Sequence, residues 1–397
     1  MAALAVLFAI VFINLVGFGL ILPLLPFFGQ SLEAAAWQIT LMFSAYSLGQ
    51  FFGEPFWGRL SDRIGRKPVL LITVGANAVG YLALAFAPNI WVAIAVRLFT
   101  GLGAGNISTV HGYVADVTPP QLRAGRMGLL GAAFGLGFIV GPGLGGLLVR
   151  PELGRLGYQL LIFASAALAA LAAAAVVLFL RESRAAADPA TPRAPFLAGV
   201  RDARRHPVIA RVLLVTLIYT AGFAGMEGVF GLWTEARYAW GAREVGLVFM
   251  VVGVVSVICQ GFLAGRLARR FGESQVLACG MLLFGGSLVL QVLGNQPWMV
   301  VAAMAAGASG MAMAMPNISA LISRSADPDR QGAMLGLNMA ASSASRIAGP
   351  MAAGALFSAF GHDWPFLIGA ALTVPAAIMA VNAGRAFRRE QAIKSAP

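Results

Sequence analysis

The sequence predicts an all-α integral membrane protein with twelve transmembrane helices in two pseudo-symmetric six-helix bundles. Of the 397 residues, 59% are hydrophobic and only 11% are charged, whereas a soluble domain carries about 25% charged residues. Apolar stretches of about 20 residues, the length that crosses ~30 Å of hydrocarbon as a helix, recur along the whole chain. Lipid allows only helices or closed barrels, and these unbroken stretches lack the alternation of barrel strands. The chain must therefore be surrounded largely by lipid.

Twelve membrane spans are predicted, and they are numbered in chain order. Their predicted bounds are 4–28, 38–57, 69–87, 91–115, 126–149, 158–180, 209–234, 244–264, 274–293, 298–323, 333–358 and 364–384. Of the 28 Lys and Arg residues, 22 lie after even-numbered spans, including the C-terminal tail, or within the first three residues of span 5 or span 7. Such an excess marks the cytoplasmic side, so both termini are predicted to face the cytoplasm of a bacterial inner membrane. The net charge of +12 is thus explained by topology, and no nucleic-acid partner is predicted.

A polar segment divides the chain into two similar halves. Residues 181–207 are rich in Arg and Pro and predict a cytoplasmic linker between one bundle at 1–180 and another at 208–397. Gly141-Pro142 of span 5 recurs 208 residues later as Gly349-Pro350, and Gly58-Arg-Leu recurs 207 residues later at Gly265. Repeated halves predict a substrate site at the bilayer midplane and alternating access by rocking of one half against the other.

The segment after span 2 reads Gly58-Arg-Leu-Ser-Asp62-Arg63-Ile-Gly65-Arg66-Lys67. Glycines allow a tight reversal, which predicts a loop between spans 2 and 3. Asp62 is predicted to lie near the positive start of span 3. The segment is very similar to the signature loop of the major facilitator superfamily. That resemblance implies a loop that latches one conformation, and a topology anchor alone is the alternative.

Two further motifs lie inside spans. Span 5 carries Gly137-Phe-Ile-Val-Gly141-Pro142-Gly143, which resembles the superfamily motif associated with antiporters. Glycines four residues apart let helices approach closely, so packing alone is the alternative. Span 4 carries Arg97-Leu-Phe-Thr-Gly101, which resembles a motif whose arginine is implicated in proton coupling. A side chain that merely extends to the external interface is the alternative for Arg97.

The start of the chain, from Asn14 to Pro26, looks like the drug:proton antiporters of the tetracycline-resistance type, as does Tyr113-Val-Ala-Asp116-Val-Thr118. The resemblance covers essentially the whole chain. It implies the major facilitator fold and export of small amphipathic or aromatic compounds by a monomer, driven by the proton gradient without a cofactor. The family commonly has an aspartate where this sequence has Asn14. An amide cannot carry a proton, so Asn14 is predicted to contact substrate instead.

Another acid is then needed to carry the proton. Glu227 in span 7 has apolar neighbours, a setting that disfavours the charged carboxylate and favours proton uptake. Glu54 in span 2 is the second candidate. Arg346 lies near the middle of span 11 and needs an anionic partner, either Glu227 or an acidic group on the substrate. Glu227, Glu54, Arg97 and Arg346 form the predicted proton-coupling set, with structural pairing as the alternative for Glu227, Glu54 and Arg346.

Polar and adaptable side chains inside the spans are predicted to line the substrate cavity. Amides at lipid depth bridge helices or line cavities, and Met and aromatic residues suit adaptable surfaces. The predicted substrate-binding set is Asn14, Asn106, His111, Phe223, Met226, Phe230, Gln260, Asn317 and Asn338. No metal site is predicted, because Cys259 and Cys279 lack metal-ligand spacing.

Two other functions remain open from the sequence. One is a metabolite or lipid exporter or uniporter without tight proton coupling, and Asn14 is the residue that favours it. The other is a non-transporting membrane receptor or scaffold. An enzyme is not predicted, because the sequence shows no nucleophile–base pair and no soluble domain.

Overall fold

The computed structural model describes residues 2–183, 201, 203, 206–327 and 330–395. Within these ranges every regular element is a helix and no strand occurs, which confirms the all-α prediction. Each predicted span is matched by one helix or by consecutive helices. Most of the predicted linker lies outside the described residues, and the division at 1–180, 181–207 and 208–397 stays a prediction.

Among the first six spans, spans 1 and 4 are interrupted, and span 2 is longer than predicted. The helices are Ala2–Ile21, Leu22–Leu24 (a 3-10 turn) and Leu25–Gln30 for span 1, Ala36–Ile64 for span 2, Arg66–Ala85 for span 3, Ile90–Ala104 and Ile107–Asp116 for span 4, Arg123–Leu148 for span 5, and Arg155–Phe179 for span 6. Short 3-10 turns at Pro120–Leu122 and Pro151–Leu153 precede spans 5 and 6.

The last six spans include one π-helical segment. The helices are Pro207–Tyr238 for span 7, Ala242–Ile258, Cys259–Ala264 (π) and Gly265–Phe271 for span 8, Glu273–Leu293 for span 9, Pro297–Ser325 for span 10, Gln331–Phe360 for span 11, and Trp364–Ser395 for span 12.

Ten of the twelve spans in the described chain are long and apolar enough to cross a membrane. Spans 2 and 11 are 29 and 30 residues long but more polar in sequence. Polar residues at lipid depth face protein or a water-filled cavity. The polar faces of these two spans are therefore expected to face protein or a water-filled cavity.

Large apolar side chains are exposed around the outside of the helices. Phe86, Leu178 and Leu293 are 69%, 71% and 70% exposed. A soluble protein rarely leaves such extended apolar surface in water. In a membrane this surface meets the lipid tails, as the composition predicts.

The chain divides into two compact units. Unit 1 contains the described residues within Met1–Thr191 and Gly228–Gly253, and unit 2 contains those within Pro192–Glu227 and Val254–Pro397. The boundary falls inside span 7, directly after Glu227. The end of span 7 and the start of span 8 therefore pack with spans 1 to 6.

Unit 1 is assembled through close backbone contacts at glycines. A Cβ atom added to Gly141 of span 5 would lie 2.7 Å from the Cα atom of Gly19 in span 1. On another face of span 5, a Cβ atom on Gly246 of span 8 would lie 2.6 Å from the carbonyl oxygen of Pro142. Only glycine allows helices to approach this closely. The span 5 motif therefore joins spans 1 and 8 to span 5, which supports the predicted packing role.

Unit 2 repeats this arrangement. A Cβ atom added to Gly349 of span 11 would lie 2.4 Å from the carbonyl oxygen of Ala221 in span 7. Gly349 is the repeat equivalent of Gly141, and span 7 is the repeat equivalent of span 1. The same helix crossing thus occurs in each half, so the repeat seen in the sequence is also a repeat of packing.

The segment around Asp62 differs from its prediction. Residues 58–64 continue the helix of span 2, and Gly65 alone, with φ +102°, reverses the chain into span 3. The predicted loop over residues 58–64 is therefore wrong, and Asp62 lies in the last turn of span 2, where it pairs with Arg66 at the start of span 3. The physical reason is that a glycine in a left-handed conformation ends one helix and begins the next without a longer loop.

Candidate functional site

The Arg97 side chain is buried in the middle of unit 1. It is 1% exposed, and its guanidinium carbon lies 4.2 Å from the centroid of the Tyr46 ring. Tyr81, also buried, is close enough to interact with it electrostatically. Arg97 therefore does not extend to the external interface, which excludes that alternative for this structure. Its contacts are with aromatic rings of spans 2 and 3.

Asn14 lies on span 1, one helical turn before Phe18. The Phe18 ring stacks on Tyr46 with the ring centroids 5.3 Å apart. The Asn14 amide oxygen is buried and has no hydrogen-bond partner among the described residues. Residues four apart share a helix face. The structure thus places Asn14 on the face of span 1 that contacts the Tyr46–Arg97 pair.

Span 4 is broken two turns after Arg97, which the sequence did not predict. The helix ends at Ala104 and begins again at Ile107. A Cβ atom on Gly105 would lie 2.4 Å from the backbone nitrogen of Glu54, so span 2 fills the break closely. Breaks of this kind leave unpaired backbone groups that need partners inside a membrane.

Glu54 and Trp57 of span 2 provide those partners. The Glu54 carboxylate accepts a hydrogen bond from the backbone N–H of Ser108 at 3.1 Å, at the start of the second half-helix. The Trp57 indole donates to the carbonyl oxygen of Leu102 at 2.6 Å, at the end of the first. A helix start favours a negative charge. Glu54 therefore has a structural partner in this state, and its predicted role in proton coupling stays a prediction.

Glu227 lies beside Arg346 where spans 7 and 11 cross. Gly225 and Gly349 bring the two helices together, since a Cβ atom on Gly225 would lie 3.0 Å from the carbonyl oxygen of Gly349. Glu227 is partly buried and interacts electrostatically with Arg346. Within the described residues neither side chain forms a direct ion pair or hydrogen bond. The pair is therefore close but not locked together.

Tyr219 and Asn338 complete the polar groups near this crossing. The buried Tyr219 hydroxyl donates to the carbonyl oxygen of Met311 at 3.2 Å and also interacts electrostatically with Arg346. The Thr216 hydroxyl donates to the Asn338 amide oxygen at 2.7 Å. These contacts link span 7 to spans 10 and 11. Tyr219 was not in the predicted site, although its position two turns before Glu227 on span 7 could have indicated it.

The predicted cavity residues differ in how far they are buried. Asn106, Asn317, Met226 and Phe230 are buried, whereas Phe223 is partly buried and His111 and Gln260 are exposed. Asn106 bridges to Thr73 at 2.8 Å, and Asn317 donates to the Met313 carbonyl of its own helix at 2.6 Å. Phe230, fully buried, packs on Phe249 and Trp233 of unit 1. The nine residues are divided between the two units, and their substrate contacts stay predictions.

The signature segment forms a charged cluster beside the end of span 6. Arg66 is 6% exposed and pairs with Asp62 at 2.8 Å and with Asp116 at 3.0 Å. Arg63 is exposed. The Glu182 carboxylate accepts hydrogen bonds from the backbone N–H groups of Arg66 and Lys67 at 2.8 and 3.0 Å. The start of span 3 is thus capped by Glu182 rather than by Asp62.

Glu182 is a residue that sequence reasoning missed. It directly follows span 6, on the side of the membrane that is otherwise basic. An acid in a basic segment was the available signal. Together with Asp116, which also lies close to the Ser183 hydroxyl at 3.3 Å, it ties the ends of spans 4 and 6 to the start of span 3.

Comparisons with known proteins agree with this architecture. A model of the Major Facilitator Superfamily matches residues 7–261 and 229–394. The class C tetracycline resistance protein of Escherichia coli is 31% identical over 93% of this chain and 94% of its own length. The quinolone resistance protein NorA of Staphylococcus aureus is 26% identical over 89% of each chain. The crystal structure of the human organic anion transporter MFSD10 is 24% identical with a TM-score of 0.69, covering 96% of this chain and 99% of the other.

Proposed function

Since this chain belongs to the major facilitator superfamily and is a multi-pass membrane transporter rather than an enzyme, we propose that it exports small amphipathic or aromatic compounds from a bacterial cytoplasm in exchange for protons. The similarity to tetracycline, multidrug and quinolone resistance proteins supports drug-like substrates. The substrate could include tetracycline-like antibiotics. Transport proceeds by alternating access in a monomer whose termini face the cytoplasm.

The observation that carries proton coupling is the carboxyl group of Glu227. It lies within a span, partly buried, near a guanidinium to which it is not directly paired. A carboxyl group in this setting can be stable in either protonation state, because Arg346 favours the anion and the apolar surroundings favour the acid. Glu227 therefore takes up the proton, and Arg346 adjusts how readily it does so.

Protonation must change the affinity for substrate if the two fluxes are coupled. A ligand shifts a conformational equilibrium only through a difference in its affinity for the two states. We propose that substrate and proton compete at the Glu227 region. Neutralisation of Glu227 leaves the Arg346 charge without compensation, which changes the local charge by one unit at a helix crossing.

The glycine contacts of span 5 fit an exporter that changes conformation. Gly146 meets Gly246 of span 8 on the predicted external side, with a Cβ-to-Cα separation of 3.1 Å. Backbone contacts between two smooth helix surfaces can separate without leaving buried charges unpaired. We propose that this contact opens when substrate is released outside the cell.

The test is Glu227→Gln in purified protein and in proteoliposomes. We expect substrate-evoked proton release in detergent, with tetracycline as the first compound, to fall at least tenfold. Gradient-driven drug transport should fall in parallel. Glu235→Gln, on the same helix, is the matched control and should retain most of both signals. Proton release that survives Glu227→Gln would show that another acid, with Glu54 the next candidate, carries the proton.

A second candidate function is a uniporter or exporter without tight proton coupling. Asn14 favours this function, because it has an amide at a position where antiporters of the tetracycline-resistance type commonly have an aspartate. In that case drug flux would persist without any proton release in the wild-type protein. A non-transporting receptor would show neither flux nor proton release.

A further inference from the structure

The Arg97 guanidinium has no acidic partner among the described residues. Its Nε and Nη1 atoms are inaccessible to solvent and lack hydrogen-bond partners. An arginine inside a membrane span is costly and normally faces a partner within the protein. Removing the partner of a buried charge is strongly destabilising, so a buried charge normally has one. The missing partner of Arg97 is therefore an anion that the described part of the chain does not supply.

The neighbours of Arg97 hold it without neutralising it. The Tyr46 ring lies 4.2 Å below the guanidinium carbon, a cation–π contact that occupies one face of the planar group. The N–H donors lie in the plane of the group and remain available for an acceptor. Tyr81 adds a hydroxyl group nearby but no charge. The aromatic residues thus orient the guanidinium, and its buried Nε and Nη1 donors are left without an acceptor among the described residues.

Span 1 adds a polar group but no negative charge to this cluster. Phe18 stacks on Tyr46, and Asn14 lies one turn away on the same face with its amide oxygen unpartnered. The situation in unit 2 is different, because Arg346 has Glu227 close by. Arg97 and Arg346 both lie well inside their spans, and Arg97 is the one whose charge no carboxylate among the described residues offsets.

We propose that Arg97 binds an anionic group of the transported compound, a carboxylate or an acidic enol. This inference rests on the proposed function and adds the chemical class of the substrate. A planar guanidinium forms two parallel hydrogen bonds with a carboxylate, and this pair is strong where water is excluded. The aromatic rings beside Arg97 also suit a substrate in which the acidic group is attached to an aromatic ring.

The experiment compares a carboxylic acid with its ester. The probes are nalidixic acid and its methyl ester, and binding to the purified protein is measured by calorimetry in detergent. The wild-type protein should bind the acid at least tenfold more tightly than the ester. In Arg97→Gln the affinity for the acid should fall at least tenfold while that for the ester changes little, so that the preference disappears.

Two further variants keep the result interpretable. Arg97→Lys retains the charge but not the planar fork, and it should keep part of the preference for the acid. Arg150→Gln removes one exposed positive charge outside the spans and should leave both affinities unchanged. If Arg97→Gln fails to fold, the preference of the wild-type protein and that of Arg97→Lys still test whether Arg97 binds the acidic group.

The outcomes separate this inference from the proposed function. Equal binding of acid and ester by the wild type, or a preference that survives Arg97→Gln, overturns the anion site and leaves drug export in place. A preference that depends on Arg97, without proton-coupled export, supports the anion site and overturns the coupling. If neither probe is bound or exported, both proposals are refuted for this class of compound.

Discussion

At the scale of single residues, the cytoplasmic cluster shows how one backbone position organises several charges. Gly65 adopts φ +102° and lies against the Glu182 carboxylate, which caps the start of span 3. The reversal at Gly65 also lets Arg66 reach both Asp62 and Asp116. Arg66 is almost fully buried and its partners Asp62 and Asp116 are partly buried, so solvent screens these two pairs less than it screens exposed ion pairs.

Gly65→Ala should destabilise the protein by about 1–2 kcal/mol, because a side chain is strained at this φ and its Cβ atom would lie 2.5 Å from a Glu182 oxygen. Thermal unfolding in detergent measures the effect. The control is Gly75→Ala in span 3, where an added Cβ atom meets nothing within 4 Å and the change should be neutral or slightly stabilising. Equal melting temperatures for the two variants would contradict the assigned role of Gly65.

Glu227 and Arg97 show two different ways of keeping a charge inside a span. Glu227 lies near an opposite charge without a direct bond, which allows its protonation to change. Arg97 lies against aromatic rings without an acidic partner among the described residues, which leaves a donor edge for a ligand. Glu227 is thus suited to proton uptake, and Arg97 to contact with an acidic group of the substrate.

At the scale of helices, the crossing of spans 7 and 11 places the Glu227–Arg346 pair. Ala221, Gly225 and Gly349 are small enough for the two backbones to touch. Arg346 lies one turn before Gly349, and Glu227 lies two residues after Gly225. Any increase in the separation of the helices would therefore move the carboxyl group away from the guanidinium.

Gly349→Ala should reduce both folded yield and transport, because its Cβ atom would lie 2.4 Å from the carbonyl oxygen of Ala221. Overpacking of this kind typically costs about 1–3 kcal/mol. Gly336→Ala, on the same helix and with open space at the Cβ position, is the matched control. Size-exclusion profiles and drug transport should be near wild type for the control and impaired for Gly349→Ala. Normal behaviour of both variants would argue against a close crossing.

The break in span 4 is the other element that matters for function. The first half-helix ends beside Trp57, and the second begins beside Glu54. Their side chains form hydrogen bonds with backbone groups that the break leaves unpaired. Arg97 lies on the first half-helix and His111 on the second. In a span divided in this way, one half-helix can move without the other moving with it as a rigid body.

At the scale of the whole molecule, the positive-inside pattern predicts which ends of the spans share a side of the membrane. The turn at Gln121 follows span 4 and should face the cytoplasm. Gln296 precedes span 10 and should face the outside. Both side chains are exposed, which makes them suitable for chemical labelling.

Cysteine labelling in intact cells tests this topology. In a background with Cys259→Ser and Cys279→Ser, a membrane-impermeant maleimide should label Gln296→Cys but not Gln121→Cys. Everted vesicles should give the opposite pattern. Labelling of both positions from the same side would contradict the twelve-span topology and the orientation of the termini. Labelling of the two positions from opposite sides requires an odd number of spans between them, as the predicted topology has.

The sequence by itself determined the family, the all-α membrane fold and the places of the twelve spans, because these follow from hydropathy and local motifs. The match to the family model and the similarity to the class C tetracycline resistance protein confirm the family, and the helices of the described residues confirm the all-α fold. Only the tertiary structure decided that Glu182 caps span 3, that span 4 is broken beside Glu54, and that Arg97 lacks an acidic partner among the described residues. These features depend on contacts between residues 45 to 116 positions apart. Periodicity along one helix carries no information on which face meets which neighbour.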